Sequence, residues 1–227
     1  MPLLLVDMDD TLVDRAATVD RWARRRLGRP LPSGLALALR RLHLHRLGSR
    51  LIALCERHVD RSYALEEGVE DALTRVRRAG WSIAVITNGN RRTQPAKIAS
   101  ARIAPLVDGV VISSHEGFAK PDPRVFRLAA QRTGSTLEGA WVVGDDLRQE
   151  IAGAAKLGLR SVWLNPLGLP ASADVDLQAT SFPEAVALVL SESPVRPGSP
   201  APPARPRHPG RPERPGSPAQ PGRPGTS

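Results

Sequence analysis

Five short apolar runs, each stopping at small polar or acidic residues, constrain the fold of this chain more than any other feature. They are Leu3–Val6, Trp81–Thr87, Val107–Ser113, Trp141–Gly144 and Ser161–Leu164. All are rich in β-branched residues and bounded by Gly, Asn or Asp, the pattern of strands between turns. An unbroken apolar run, in place of alternation, implies burial on both faces, as in a parallel sheet. Three amphipathic stretches lie between the runs: Val69–Ala79, Pro123–Thr133 and Leu147–Leu157, closed by Gly80, Gly134 and Gly158. Strand alternating with helix predicts an α/β fold with a doubly wound parallel sheet, Rossmann-like in layout.

One segment breaks the alternation. Between Arg15 and Ser62 no strand run occurs, and the sequence reads as helices over Ala16–Leu27, residues 34–47 and residues 51–62. The expected organisation is therefore a catalytic core over residues 1–14 and 63–193, a small helical cap over residues 15–62 inserted after the first strand, and a tail over residues 194–227. That tail holds twelve Pro and five Gly, with Val195 its one large aliphatic residue. It cannot bury enough apolar area to offset its ordering entropy, so it is expected to be disordered.

This division resolves the charge of the chain. The formal net charge of +9 by itself invites a polyanion partner. The cap segment carries +9 and the tail +5, which leaves the core at −5. The basic residues are almost all arginine, spread around their helices as solvated faces are. Aromatic residues make up 4% of the chain, too few for a base-stacking platform. Nucleic acid is not the expected partner. The single cysteine, Cys55, cannot form an internal disulfide and fits a reducing cytoplasm. No run approaches the ~18 apolar residues of a membrane span, and the N-terminal run lacks the basic region of a secretory signal. A cytoplasmic protein without membrane attachment is expected.

The chemistry is read from the residues just beyond each run. In an open α/β sheet, ligands bind beyond the carboxyl ends of the strands. Those ends carry Asp7, Asp9 and Thr11; Thr87, Asn88 and Gly89; Ser113 and Ser114; and Gly144, Asp145 and Asp146. Two carboxylates at positions 7 and 9 would face the same way if the strand continued, and would repel each other unless a cation stood between them or one held a proton. With Asp145 they form an oxygen-rich set suited to Mg²⁺. Lys120 lies in a turn stiffened by Pro121 and Pro123, and its compact ammonium suits both a phosphate oxygen and a carboxylate nucleophile. His43 and His45 lack a second group of ligands, so no zinc site is expected.

Asp7-Met8-Asp9-Asp10-Thr11, Thr87-Asn88-Gly89, Lys120-Pro121, and Gly144-Asp145-Asp146 with Glu150 resemble, in order and spacing, the four motifs of the haloacid dehalogenase (HAD) superfamily. The resemblance covers about residues 1–190 and is to members with a helical cap after the first strand. It implies Mg²⁺-dependent hydrolysis of a small phosphorylated metabolite through an aspartyl-phosphate. Asp7 would be the nucleophile, and Asp9 the acid for the leaving group and then the base for water. Asp7, the main-chain carbonyl of Asp9, and Asp145 would hold the metal. Thr87, the backbone amide of Asn88, and Lys120 would bind the phosphate. Asp146 and Glu150 both stand as candidates for an outer-shell role. Dehalogenases of this family typically lack an acid at the position of Asp9, so phosphate ester hydrolysis is the expected reaction. A phosphotransferase or mutase on the same core, and a non-catalytic anion- or nucleic-acid-binding protein using the basic cap and tail, are the alternatives.

Overall fold

The computed structural model describes residues 1–28, 63–171 and 174–193 of the 227-residue chain. Six parallel strands form one sheet: β1 Leu3–Val6, β2 Ser82–Thr87, β3 Gly109–Ile112, β4 Trp141–Gly144, β5 Arg160–Leu164 and β6 Leu177–Ala179. Their spatial order is β3-β2-β1-β4-β5-β6. The five predicted strands are all present. The sixth, three residues long and only partly buried, is too short to leave a periodic signature.

The two-sided burial expected of the apolar runs is found. Leu4 and Val6 face one layer together with Val85 and Val143, against α2 (Val69–Arg78) and α7 (Phe182–Glu192). Leu3 and Leu5 face the other with Ile86 and Val142, against α5 (Pro123–Arg132). All four residues of β1 are buried, each contributing about 1.5–3 kcal/mol by removing apolar surface from water. Among the described residues the remaining α-helices are α1 (Arg15–Leu27), α3 (Thr93–Ser100), the single turn α4 (Ser113–Glu116), and α6 (Ala152–Ala155), which continues from a π turn over Leu147–Ile151.

Local chemistry sets the helix ends. Asp14 caps α1 by accepting from Ala17 N at 2.7 Å, and Gly28 closes it in the left-handed region at φ 67°. Asp122 caps α5, and Pro123 occupies its first turn, where a missing N–H costs nothing. In α2 the buried residues Val69, Ala72, Leu73 and Val76 recur at helical spacing, with Glu70 and Asp71 at the positive end of the dipole. The helix α1 is the one predicted for the start of the cap. The predicted helices over 34–47 and 51–62 and the predicted tail lie outside the described residues.

Strand order places the site. The order reverses beside β1, so β2 lies on one side of it and β4 on the other. That reversal opens a crevice beyond the strand ends, and Asp7 and Asp145 follow β1 and β4 directly.

The packing of α6 onto α5 leaves no slack. An added Cβ at Gly153 would sit 2.5 Å from Cζ of Phe126, whose ring is fully buried. Gly153→Ala is expected to destabilise the protein by about 1–3 kcal/mol, read as a lowered urea midpoint at unchanged slope.

Candidate active site

Asp7 is the first residue beyond β1 and remains tied to the sheet, its N–H donating to Val143 O at 3.0 Å. The strand does not continue. Leu12 and Val13 both return N–H bonds to Met8 O, and Asp10 adopts φ 61° to turn the chain back, a conformation Asp tolerates better than most side chains. As a result the carboxylates of Asp7 and Asp9 diverge. Asp7 Oδ1 meets Lys120 Nζ at 2.5 Å, whereas Asp9 Oδ1 meets Lys97 Nζ at 2.6 Å and Asp9 Oδ2 accepts from Gln94 Nε2 at 2.9 Å.

Lys120 is the hub of the buried site. Its ammonium belongs to a side chain buried with the rest of the residue, which is 5% exposed, and it also lies 2.6 Å from Glu150 Oε1 and donates to Ile86 O at 2.9 Å. Asn88 fixes its backbone: Asn88 Oδ1 accepts from Lys120 N at 3.0 Å, and Asn88 Nδ2 donates to Lys120 O at 3.0 Å and to Gln149 Oε1 at 2.6 Å. The side chain of Asn88 thereby joins three strand-end loops. The hydroxyl of Thr87 is buried beside them and accepts from Gln94 Nε2 at 2.8 Å.

The two acids left open after β4 take different places. Asp146 caps the π turn, accepting from Arg148 N and Gln149 N. Glu150 is 2% exposed and turns inward, where its Oε2 accepts from Asp146 N at 2.8 Å while Oε1 pairs with Lys120. Gly144 is required opposite it, since a Cβ there would fall 2.2 Å from Glu150 Cγ. Asp145 is half-buried, and its carbonyl accepts from Trp163 Nε1 at 2.9 Å. Of the described cap arginines, Arg24 pairs with Asp20 and Arg21 donates to Thr18, contacts made within α1.

Burial without enough positive charge dominates the electrostatics. The Asp7 carboxyl is pushed up to about 6 by burial and by the neighbouring charges of Asp145 and Asp9, which together outweigh Lys120. Burial, with Asp7 and Asp145 nearby, pushes Glu150 up to about 8. Burial lowers Lys120, but the charges of Asp7 and Glu150 reverse this and raise it. Asp9 behaves oppositely. Burial raises it, yet the charges of Lys97 and Arg15 and the bonds from Lys97 and Gln94 bring it down to about 2.

This imbalance is what a cation at the strand ends would relieve, and the oxygen donors available suit a hard ion. The fit is narrower than three carboxylates would give. Among the described residues no three His, Cys, Asp or Glu side chains form a ligand group, because the carboxylate of Asp9 is directed at α3. Two carboxylates, Asp7 and Asp145, and a main-chain oxygen at Asp9 remain. Mg²⁺ usually takes such a partial set, since it keeps waters and substrate phosphate oxygens as its other ligands.

Three residues of the site were not singled out in the sequence: Lys97 and Gln94 on α3, and Glu150 as a direct partner of Lys120. Of the three lysines in the chain, Lys97 and Lys120 are buried and Lys156 is exposed. Scarcity of lysine was the one signal for Lys97, which also sits 5.3 Å from the ring centroid of Tyr63.

The model of the haloacid dehalogenase-like hydrolase family matches residues 1–158. Phosphoserine phosphatase of Thermus thermophilus is 37% identical over 133 residues, 56% of this chain and 53% of that protein. Glyceraldehyde 3-phosphate phosphatase of Pyrococcus abyssi is 35% identical over 96 residues, 42% and 40% of the two chains. The chain thus spans about half the length of the curated relatives it matches. Among solved structures, the magnesium-bound HAD hydrolase YfnB of Bacillus subtilis superposes with a TM-score of 0.64 at 20% identity, over 83% of this chain and 98% of that one. L-2-haloacid dehalogenase of Xanthobacter autotrophicus does so with 0.62 at 16% identity, over 85% and 100%. The fold is common to solved structures named as a HAD phosphatase and as haloacid dehalogenases. Among the described residues no helix is long and apolar enough to cross a membrane.

The raised carboxyls predict a pH dependence. Glu150 and Asp7 hold protons in the folded chain at pH values where the unfolded chain has released them, from their ordinary values of 4.5 and 3.8 up to about 8 and about 6. Stability in chelator is therefore expected to fall as pH rises through this range, by at most about 1.4 kcal/mol per pH unit for each proton. Asp9 acts in the opposite sense, its contribution being lost as pH falls toward about 2. Urea midpoints between pH 7 and pH 8, where Asp7 has largely released its proton and Glu150 still titrates, should decline for the unaltered protein and level out for Glu150→Gln.

Proposed function

We propose, from the premise that this chain belongs to the haloacid dehalogenase-like hydrolases, that it hydrolyses a small phosphate monoester through a phosphorylated Asp7. The observation that carries the proposal is the Lys120–Asp7 pair at the carboxyl end of the central strand, with a second acid, Asp9, two residues on. A carbon-attacking dehalogenase has no leaving oxygen to protonate and no use for Asp9. The relatives named as phosphatases support the same choice.

An oxygen of Asp7 attacks phosphorus, and the bond from phosphorus to the leaving alcohol breaks as that alcohol takes a proton from Asp9. Water then gives a proton to Asp9 and attacks the phosphorus of the aspartyl-phosphate, which releases inorganic phosphate and restores Asp7. Lys120 holds Asp7 oriented and offsets charge on the transferring group. The hydroxyl of Thr87 and the backbone N–H of Asn88 bind its oxygens. Mg²⁺, held by Asp7, Asp145 and the main-chain carbonyl of Asp9, would supply the positive charge that lets an anionic nucleophile meet an anionic ester.

Asp9 is ionised beside Lys97, the form needed to take a proton from water. To protonate the leaving group Asp9 must first take up a proton from solvent, and esters of weakly basic alcohols escape that requirement. The substrate class we infer is a small phosphorylated metabolite, and the setting a reducing cytoplasm, on the grounds of the lone Cys55. The cap proposed over residues 15–62 would supply selectivity among such esters.

Phosphate release from an aryl phosphate and from a metabolite panel, with Mg²⁺ or with chelator, tests the assignment. Asp7→Asn is expected to lower turnover by about 10³-fold or more, and equal rates for this variant and the unaltered enzyme would defeat the proposal. Asp9→Asn should lower kcat/KM for alkyl phosphates by about 10²-fold or more while affecting aryl phosphates much less.

A further inference from the structure

Helix α3 delivers a buried amide to the site that the catalytic steps leave without a task. We propose that Gln94 is a positioning residue that fixes the hydroxyl hydrogen of Thr87 toward the phosphate, so that Thr87 donates there. The inference rests on the phosphate-ester reading and assigns an element of its binding pocket.

The polarity of each neighbouring atom decides which way the amide faces. Gln94 is 2% exposed, and its Nε2 lies 2.8 Å from Thr87 Oγ1, 2.9 Å from Asp9 Oδ2 and 3.3 Å from Asn88 O. A main-chain carbonyl and a carboxylate oxygen can only accept, so the nitrogen of the amide must face them. Its oxygen faces the other way, where Oε1 has no hydrogen-bond partner among the described residues. An amide nitrogen aimed at Thr87 makes the hydroxyl oxygen an acceptor, and the one hydroxyl hydrogen is left for a different acceptor. A phosphate oxygen beyond the end of β2 is such an acceptor.

The surroundings hold the amide in place. A Cβ at Gly89 would lie 2.3 Å from Gln94 Nε2, so the glycine of the Thr87-Asn88-Gly89 turn leaves the space this side chain fills. One turn along α3, Lys97 takes the other oxygen of Asp9 at 2.6 Å and keeps that carboxylate beside the amide. Gln94 thus links the turn after β1 to the turn after β2 through one NH₂ group.

Gln94→Glu tests the polarity directly, because it puts an acceptor where the donor stood and draws the Thr87 hydrogen away from phosphate. Calorimetric titration with inorganic phosphate in Mg²⁺ buffer should show Gln94→Glu and Thr87→Val each weakening affinity about tenfold. The charge that Gln94→Glu adds beside Asp9 repels phosphate with or without the hydroxyl, so the coupling is read from the neutral Gln94→Met, with a loss of about threefold that disappears in the Thr87→Val background. Unchanged affinity, or losses that multiply fully across the two sites, would overturn the role given to Gln94. An unaltered protein that neither binds phosphate nor hydrolyses an aryl phosphate would instead remove the phosphate-ester reading on which it stands.

Discussion

The ammonium of Lys120 sits among two carboxylates and a carbonyl in a region that otherwise excludes water. It touches Asp7 from the turn after β1, Ile86 at the end of β2, and Glu150 from the π turn after β4. Such a group is costly to bury alone, and its partners are costly to bury without it. The turn carrying Lys120, the inward course of Glu150 and the absence of a side chain at Gly144 all serve this one charge. Removing it would leave two buried carboxylates facing each other. The arrangement is therefore better understood as an electrostatic requirement that several loops satisfy together than as a set of separate ion pairs.

A second, smaller arrangement mirrors it on α3. Lys97 and Gln94 do for Asp9 what Lys120 and the loops do for Asp7, and the two carboxylates end up with opposite tendencies. Asp7 is pushed toward protonation, whereas Asp9 is held ionised. Two acids two residues apart acquire different chemical characters because the chain turns back at Asp10 and sends them to different cations. Pairs of carboxylates separated in this way are what acid–base chemistry at one centre needs.

Much of this was legible in the sequence because it followed from burial. Apolar runs unbroken by polar residues identify parallel strands, and acids placed just after them identify an edge where ligands bind. Strand β6 and helices α3 and α7 were less legible. The strand has three residues, and the eight residues of α3, opening with Thr93-Gln94-Pro95, resemble a turn more than a helix in sequence. What the sequence could not convey was direction. Positions 7 and 9 read as a matched pair only while the strand is imagined to continue. The reversal at Asp10 depends on contacts with Val13 and Met8, and Lys97 finds Asp9 only after β2 has paired with β1. Glu150 likewise passes for an acid at a helix start until Lys120 is brought to it by the turn on the far side of β1.

The position of β1 carries a consequence for how such a protein changes over time. Leu3–Val6 is hydrogen-bonded to a neighbour on each side, so main-chain register alone sets where Asp7 stands. The segment that leaves after Asp14 returns at Tyr63 to lead into a separate helix, and neither neighbour of β1 belongs to it. Material inserted at that point can lengthen, shorten or be exchanged while Asp7 keeps its address. The geometry of the strand ends and the length of that segment are thus free to change separately.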